Sequence, residues 1–202
     1  EMLPVCAKVA AIPIKRHQRP EMKFLARDEI EALFACIPAQ DRLSLRDRAL
    51  LMLLYNTGAR VSEAAQLKLE QLDLASPARV RLLGKGSKWR TCPLWTQTAK
   101  ALQAMLDERD TVLSPDTHVF VGDTGGGMTR FGIYKRVRHY AKLWEAAGAQ
   151  ASRTHITPHV FRHTTAVHLL ESGVEVNVIR GWLGHVNLET TNRYAEITIR
   201  MK

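Results

Sequence analysis

Residues 157–173 read TPHVFRHTTAVHLLESG, and this stretch carries the start and stop signals of a helix. Thr157 is a good N-cap, and Pro158 suits the first helical position because the N–H that proline lacks would have no partner there. Gly173 is typical of the residue that follows a helix. The stretch therefore predicts a helix over residues 158–172.

His159 and Arg162 are three residues apart, so they lie on one face of the first turn of this helix. The amino end of a helix carries partial positive charge, which also attracts anions. His159 and His163 have the one-turn spacing of a zinc protease, but Val160 stands where that site needs a glutamate base. We therefore predict no metal here, and two alternatives stay open for this face: simple contact with DNA phosphates, or a catalytic anion site.

The composition is that of an ordinary globular domain, with 202 residues of which 46% are hydrophobic and 24% charged. The formal charge of +9 favours a polyanionic partner, with nucleic acid ahead of an anionic membrane surface. Three widely spaced cysteines predict neither a disulfide framework nor a zinc knuckle, and they fit a reducing compartment. No apolar run reaches the ~18 residues that a membrane span requires, so we expect no membrane partner and a cytoplasmic location.

The positive charge is concentrated in three stretches of the sequence, the first of which contains Lys15, Arg16, Arg19 and Lys23. Residues 79–90 contain lysines and arginines with no acid among them, and residues 130–168 contain a third group with only Glu145. Such runs are usually solvated faces, but together they are also typical of a surface that follows DNA phosphates. The residues predicted to form that surface are Arg81, Lys88, Arg90, Arg130, Lys135, Arg136, Arg138, Arg153 and His163.

Hydrophobic periodicity predicts a folded domain that begins near Met22, after a proline-interrupted linker over residues 1–21. Segments 25–37 and 45–60 are predicted core helices, the second ended by Gly58. A short helix over 61–67 follows directly after Arg60. Further helices are predicted over residues 95–110, 130–147, 158–172, 175–183 and 188–198, with Asn187 as the cap of the last.

The β-structure is predicted to be small. Residues 78–94, ARVRLLGKGSKWRTCPL, alternate and carry two glycines between β-prone runs, which predicts a hairpin with Lys85 at its tip. A third short strand is predicted at 118–121. The following GDTGGGMT is interpreted as a turn, because Met128 stands where a phosphate-binding loop needs a lysine. The predicted fold class is α+β, mainly α-helical with a small three-stranded antiparallel β-sheet.

Each remaining polar candidate has an ordinary structural explanation when it is taken alone. Tyr194 fits a half-buried aromatic residue, and His185, which follows a glycine, fits a polar loop residue. Arg60 can pair with Glu63, three residues further on. The hydrophobic residues predicted to pack beneath His185 are Val178, Trp182 and Leu183.

The order of the motifs is more specific than any one of them. TGARVSE, GKGSK, HVFRHTTAVHLLESG, LGH and a tyrosine nine positions later follow one another along the chain. In this order the chain resembles the tyrosine recombinases, the phage-integrase family, over about residues 22–199, and the resemblance implies that family's catalytic fold. It also implies a catalytic set of Arg60, Lys85, His159, Arg162, His185 and the nucleophile Tyr194, with Glu63 either orienting nearby groups or forming a helix-surface ion pair.

The resemblance implies that Tyr194 attacks a DNA phosphodiester and forms a covalent 3′-phosphotyrosine. Guanidiniums are planar and permanently charged, so Arg60 and Arg162 suit the two non-bridging oxygens. A tyrosine hydroxyl has a pKa near ~10 and needs a proton acceptor at neutral pH. His159 is the expected acceptor, and His185 the expected hydrogen-bond donor to the phosphate.

The departing 5′ oxygen also needs a proton, and Lys85 on the hairpin is the expected donor, with Lys88 as the less favoured alternative. Because the phosphotyrosine ester conserves the energy of the broken bond, a 5′ hydroxyl can attack it and reseal the DNA. We therefore expect no cofactor, neither a metal ion nor ATP.

The sequence thus predicts a site-specific DNA recombinase or integrase for the integration, excision or resolution of mobile DNA. Two alternatives stay open: a nicking-closing enzyme similar to type IB topoisomerases, and a non-catalytic regulator that binds DNA through a helix-turn-helix-like pair at 158–183. Expected partners are double-stranded DNA and further copies of the chain, tetrameric on DNA in a full-length form and monomeric for this piece alone. Residues 1–21 are expected to be a linker from a preceding core-binding domain, and residues 22–202 the catalytic domain.

Overall fold

The computed structural model describes residues 22–38, 41–109, 114–148 and 155–184. Its first helices, α1 (Arg27–Ala35) and α2 (Arg42–Thr57), confirm the two predicted core helices. Asp41 caps α2, because its carboxylate accepts hydrogen bonds from two N–H groups of the first turn, at 2.9 and 3.0 Å. The helix ends at Gly58, whose left-handed φ of 58° fits the predicted stop.

A short helix, α3 (Val61–Ala65), and a 3₁₀ turn (Leu69–Gln71) lead into the sheet. The strands are β1 (Leu72–Asp73), β2 (Arg79–Leu83) and β3 (Trp89–Pro93), all antiparallel, in the order β1-β2-β3. Strands β2 and β3 form the predicted hairpin, and Lys85 lies in the turn between them. The predicted fold class is therefore confirmed.

Residues 118–121 are not the third strand, so this part of the prediction is wrong. The segment makes only isolated bridges, and β1 takes the third position in the sheet. The guanidinium of Arg109 donates to two carbonyls of the segment, which occupies acceptors that a neighbouring strand would use. Val119 and Phe120 are buried, so the β-prone composition of this segment reflects core packing.

The second half of the described chain is helical, as predicted. Its helices are α4 (Thr96–Asp107), α5 (Arg130–Ala146), α6 (Pro158–Glu171) and α7 (Val176–Leu183). Thr157 caps α6 as predicted, and residues 122–129 form turns and bends. The predicted helix over 188–198 and its cap Asn187 lie outside the described residues. None of the described helices is long and apolar enough to cross a membrane.

The core is built around α2, which packs against α4 on one side and α6 on another. Leucines on several faces of α2 are fully buried, including Leu50, Leu51, Leu53 and Leu54. A smaller cluster joins α6 to α7 through Val167, Ile179 and Leu183. Val178 was predicted to belong to this core, but its exposed fraction is 49% because Ile179 and Leu183, one turn apart, set the inward face of α7.

One buried carboxylate links α2 to α5. Asp47 is fully buried and accepts hydrogen bonds from the Arg46 guanidinium (3.0 Å), Arg136 Nε (2.6 Å) and the Tyr140 hydroxyl (3.0 Å). Removing one partner of a buried ion pair leaves an uncompensated charge in a medium of low dielectric. The position of α5 therefore depends on the negative charge of Asp47.

We expect Asp47→Asn to lower the free energy of unfolding by about 3 kcal/mol, because two guanidiniums lose their buried counter-charge. The matched control is Asp123→Asn, which removes the other carboxylate that pairs with Arg46. The side chain of Asp123 is 80% exposed, so its loss should change the free energy of unfolding by less than about 1 kcal/mol. Urea unfolding followed by circular dichroism measures both, and equal effects would contradict the role given to Asp47.

Candidate active site

The carboxyl end of α7 gathers arginine side chains. The helix ends at Gly184 in a left-handed conformation (φ 65°), and the last carbonyls of a helix lack intrahelical partners. Three consecutive carbonyls here each accept a hydrogen bond from a different arginine: Arg90 Nε to Trp182 O (2.9 Å), Arg162 Nη2 to Leu183 O (2.7 Å) and Arg60 Nη2 to Gly184 O (3.5 Å). Cations are favoured at the negative end of a helix dipole. We call Arg60, Arg90 and Arg162 the arginine cluster.

Arg162 joins the ends of two helices. It lies in the first turn of α6, is only 4% exposed, and donates from Nη1 to Gly58 O at 2.6 Å as well as to Leu183 O. Gly58 allows Leu183 of α7 to pack beside this junction, because a Cβ at that position would lie 2.4 Å from a methyl group of Leu183. The guanidinium is therefore held in one orientation by the carbonyls that end α2 and α7.

Arg60 lies directly before α3, at the helix entrance that the sequence predicts. Its Nη1 donates to Glu63 Oε1 at 2.9 Å, and its Nη2 faces Gly184 O. One third of the side chain (34%) is exposed, so part of the guanidinium is open to a ligand. Arg60 and Arg162 therefore reach adjacent carbonyls at the end of α7 and share one cationic cleft.

Glu63 is buried between two arginines. Its side chain is 2% exposed and accepts from Arg60 Nη1, from the Arg60 backbone N–H (2.8 Å) and from Arg90 Nη2 (2.7 Å). Burial alone would raise the pKa of this carboxyl, but the bonds and charges of Arg90 and Arg60 outweigh burial and lower the pKa below its usual range. The ion pair between Glu63 and Arg60 is therefore present but buried at the carboxylate, and Glu63 binds Arg90 as well.

Arg90 does not lie on the exposed basic surface to which the sequence analysis assigned it. Its side chain is 8% exposed and binds Glu63 and Trp182. The inward direction of Arg90 had a signal in the sequence. Arg90, Cys92 and Leu94 occupy every second position, and the two apolar residues among them are buried. A strand residue two positions before a buried one lies on the same face, so Arg90 points inward.

His159 lies at the same cleft. The residue is accessible at the surface, yet partial burial and the positive charges of Arg162 and Arg60 lower the pKa of its imidazole below the ordinary value. The ring of His163 lies 4.2 Å away, edge to face. Within the described part of the chain, no group of three or more His, Cys, Asp or Glu is placed to hold a metal ion.

Lys85 and Lys88 are both exposed in the hairpin turn. They line a groove of about 460 Å³ whose far wall is α7, with Arg180 and Gly184 among its lining residues. The hairpin closes through the Gly84 N–H, which donates to Lys88 O at 2.9 Å. Lys85 therefore faces the carboxyl end of α7, where the arginine cluster is anchored.

The other basic residues divide into an exposed group and a partly buried group. Arg81 lies over the ring of Trp89 at 5.0 Å, Lys135 lies over the ring of Phe131 at 4.7 Å, and Arg130 is exposed at the start of α5. Two arginines of α5 turn inward instead of joining the predicted surface: Arg136 binds Asp47, and Arg138 donates to Ile156 O at 3.1 Å. His185, Tyr194 and Arg153 lie outside the described residues.

The sequence profile of the phage integrase family matches residues 23–200. Among curated relatives, the tyrosine recombinase XerC of Staphylococcus carnosus (strain TM300) is 37% identical over 176 residues, which covers 87% of this chain and 57% of the relative. The tyrosine recombinase XerD of Vibrio cholerae serotype O1 is 37% identical over 184 residues, covering 89% and 59%. The chain thus spans less than two thirds of the length of these relatives.

Solved structures share the fold. The XerA recombinase superposes with a TM-score of 0.73 at 27% identity, covering 90% of this chain and 60% of that one. The XerH recombinase in a post-cleavage complex with its palindromic difH substrate superposes with a TM-score of 0.77 at 23% identity, covering 91% and 52%. With a profile match over residues 23–200 and relatives at 37% identity, the chain belongs to the phage integrase family.

Proposed function

We propose that this chain is the catalytic part of a site-specific DNA recombinase that cleaves and rejoins strands through a 3′-phosphotyrosine on Tyr194. The observation that carries the proposal is the convergence of Arg60 and Arg162 on adjacent carbonyls at the end of α7. In the sequence, His185 follows that point at once and Tyr194 nine residues later. Relatives named tyrosine recombinases support the same reaction.

In this proposal the arginines hold the scissile phosphate. The attack of a tyrosine increases the negative charge on the two non-bridging oxygens, and fixed guanidiniums stabilise that charge without reorganising. Arg162 is fixed by two carbonyls, and Arg60 by Glu63 and Gly184. The net charge of the cleft remains positive when the three arginines Arg60, Arg90 and Arg162 are added to Glu63. Positive charge is therefore available for a phosphate.

The proton of the nucleophile goes to His159. The lowered pKa of His159 keeps its imidazole neutral near pH 7, so that a ring nitrogen can accept the proton as the tyrosine oxygen bonds to phosphorus. His185 donates a hydrogen bond to a phosphate oxygen. The bond from phosphorus to the 5′ oxygen breaks, and Lys85 protonates that oxygen as it leaves. Attack by a 5′ hydroxyl reverses every step and reseals the strand.

Double-stranded DNA is the proposed partner, bound along the exposed basic residues of the hairpin and of α5. These residues are Arg81, Lys88, Arg130 and Lys135. Two of them stack on aromatic rings, which orders the cation at the surface. Exchange between strands needs several active sites, so we also propose that copies of the full-length protein assemble on DNA as a tetramer.

A regulator that only binds DNA through α6 and α7 explains less of the structure. In a helix-turn-helix protein the second helix enters the DNA groove and the first crosses the DNA backbone, so a basic residue of the first helix is exposed to meet phosphates. Arg162, on the first helix of this pair, instead points into the protein, is 4% exposed and donates to carbonyls of Gly58 and Leu183. That anchoring suits a group fixed within a catalytic site better than one on a DNA-binding surface.

We expect Tyr194→Phe to abolish the covalent protein–DNA adduct while DNA affinity changes less than about threefold, because the variant loses only the attacking oxygen. The substrate is a pool of random-sequence suicide duplexes, each with a nick that lets the 5′-hydroxyl fragment escape. Adducts are counted on denaturing gels, and resealing to a second strand distinguishes a recombinase from a nicking-closing enzyme. An adduct that persists in Tyr194→Phe would contradict the assignment of the nucleophile.

Lys85→Met should slow single-turnover cleavage at saturating DNA by about 10²- to 10³-fold, because the leaving 5′ oxygen is no longer protonated. The matched control, Lys88→Met, should weaken DNA binding with little change in the cleavage rate at saturating DNA. The slope of log affinity against log salt concentration should fall by about one, as for the loss of one phosphate contact. A bridging 5′-phosphorothiolate, whose sulfur leaves without a proton, should restore cleavage by Lys85→Met. If Lys88→Met shows this rescue instead, Lys88 is the acid.

The pH dependence of cleavage at low DNA concentration should report the imidazole of His159 in the free protein. A base must be neutral, so the rate should be flat near pH 7 and fall as pH drops through the His159 pKa, with a midpoint below about 6.5. His159→Gln should remove this acid limb, whereas His139→Gln, an exposed imidazole on α5, should leave it. A rate that rises toward low pH would assign His159 a cationic role.

A further inference from the structure

Arg90 makes contacts that neither of the other two arginines of the cluster makes. It comes from β3, one strand beyond the turn that carries Lys85, and binds both Glu63 Oε2 (2.7 Å) and Trp182 O (2.9 Å). Its Nη1 is also buried and, among the described residues, has no hydrogen-bond partner. A side chain with these contacts fixes the base of the hairpin to both α3 and α7.

Two glycines make room for this guanidinium. A Cβ on Gly184 would lie 3.1 Å from Arg90 Cδ, and a Cβ on Gly84 would lie 3.4 Å from Glu63 Oε1 and 3.6 Å from Arg90 Nη1. The distance at Gly184 is shorter than an ordinary contact, so a larger residue there would push Arg90 aside, whereas the two distances at Gly84 are ordinary van der Waals contacts. Backbone of the hairpin and of the α7 end therefore packs directly on the Arg90–Glu63 pair.

The charges explain why this pair matters to Arg60. Glu63 carries one negative charge and lies 2.9 Å from the guanidinium that would bind the phosphate. Without a second cation, Glu63 and Arg60 would form a neutral pair, and a phosphate would compete with Glu63 for the same nitrogens. Arg90 binds the other carboxylate oxygen, and Glu63 in turn raises the pKa of Arg90 despite the burial that would lower it. The pair Arg90–Glu63 is then neutral, and the charge of Arg60 is left over.

We propose that Arg90 is a positioning residue: it compensates the charge of Glu63, so that Arg60 presents its full positive charge to the scissile phosphate while the Lys85 hairpin is held against α7. The proposal rests on the proposed strand-cleavage function. It assigns Arg90 no contact with DNA, because its side chain is only 8% exposed and is bound to Glu63 and to Trp182 O. Its effect therefore passes through Arg60 and Lys85.

The test compares Arg90→Met with the double variant Arg90→Met/Glu63→Gln in the full chain. The substrates are suicide duplexes that the wild-type chain has first captured as covalent adducts. Arg90→Met leaves Arg60 alone to balance the charge of Glu63, so cleavage at saturating DNA should fall by about 10- to 100-fold, the size of a misplaced catalytic group. Removing the carboxylate charge should restore cleavage in the double variant by about fivefold or more over Arg90→Met, a coupling that a double-mutant cycle with Glu63→Gln measures. Rates are taken well below the melting temperature of each variant, so that every molecule counted is folded.

The matched structural control is Arg48→Met. Arg48 also donates to backbone carbonyls near the end of a helix, those of Phe34 and Ile37 at the end of α1, and these two acceptors do not belong to the cluster. It should lower the melting temperature and leave the cleavage rate within about twofold, as for a residue outside the site. If Arg90→Met does not fold, Arg90→Gln, which is neutral but still forms hydrogen bonds, takes its place in the same comparison.

The outcomes separate the two proposals. No adduct with the wild-type chain would overturn the proposed function itself. Adduct formation by the wild type together with undiminished cleavage by Arg90→Met, or a double variant no faster than Arg90→Met, would overturn the role of Arg90 alone. Recovery in the double variant, with Arg48→Met active, is the result that supports it.

Discussion

Three guanidiniums anchored on the last carbonyls of α7 determine how the rest of this site can work. Like charges held this close repel one another, and each must find a partner to be buried at all. Carboxylates would supply partners but would cancel the charge. Backbone carbonyls and the negative end of a helix dipole supply partial charges instead, so they orient the guanidiniums and leave most of the positive potential in place. Among the described residues, Glu63 brings a full negative charge to the cluster, and Arg60 and Arg90 share it.

The fold supports this arrangement by bringing chain turns together at one point. Gly58 ends α2 and Gly184 ends α7, both in left-handed conformations, and Arg162 bridges the two helix ends. A Cβ at Gly58 would clash with Leu183, so the glycine provides both the backbone angle and the space. The smaller hydrophobic cluster of α6 and α7 then fixes the angle at which the helices meet. Packing and site geometry are thus set by the same few residues.

Local signals in the sequence predicted what local chemistry controls. Thr157 with Pro158 marks a helix start and Gly58 a helix end through backbone requirements that do not depend on distant residues, and the structure has both. The hairpin around Lys85 follows from alternation and turn residues in the same way. The wrong predictions involve distant partners: residues 118–121 look like a strand until Arg109 binds two of their carbonyls, and Val178 looks like core until its helix docks. Periodicity reports which residues are apolar, and not which neighbours they will meet.

For the basic residues, too, the sequence does not show which distant residues become their partners. A run of positive charge in a sequence does not distinguish a cation that faces solvent from one that balances a buried carboxylate. Arg81 and Lys135 are exposed, whereas Arg90 and Arg136 are bound to Glu63 and Asp47 from other parts of the chain.

Cations that are fixed by partners and cations that are exposed suit two different catalytic roles. Groups that must stabilise charge on a phosphate gain from being fixed before the substrate arrives, because no reorganisation is then needed. A group that must deliver a proton to a departing oxygen gains from an exposed position on a turn, from which it can follow that oxygen. The anchored arginines and the exposed Lys85 are placed in accordance with this division.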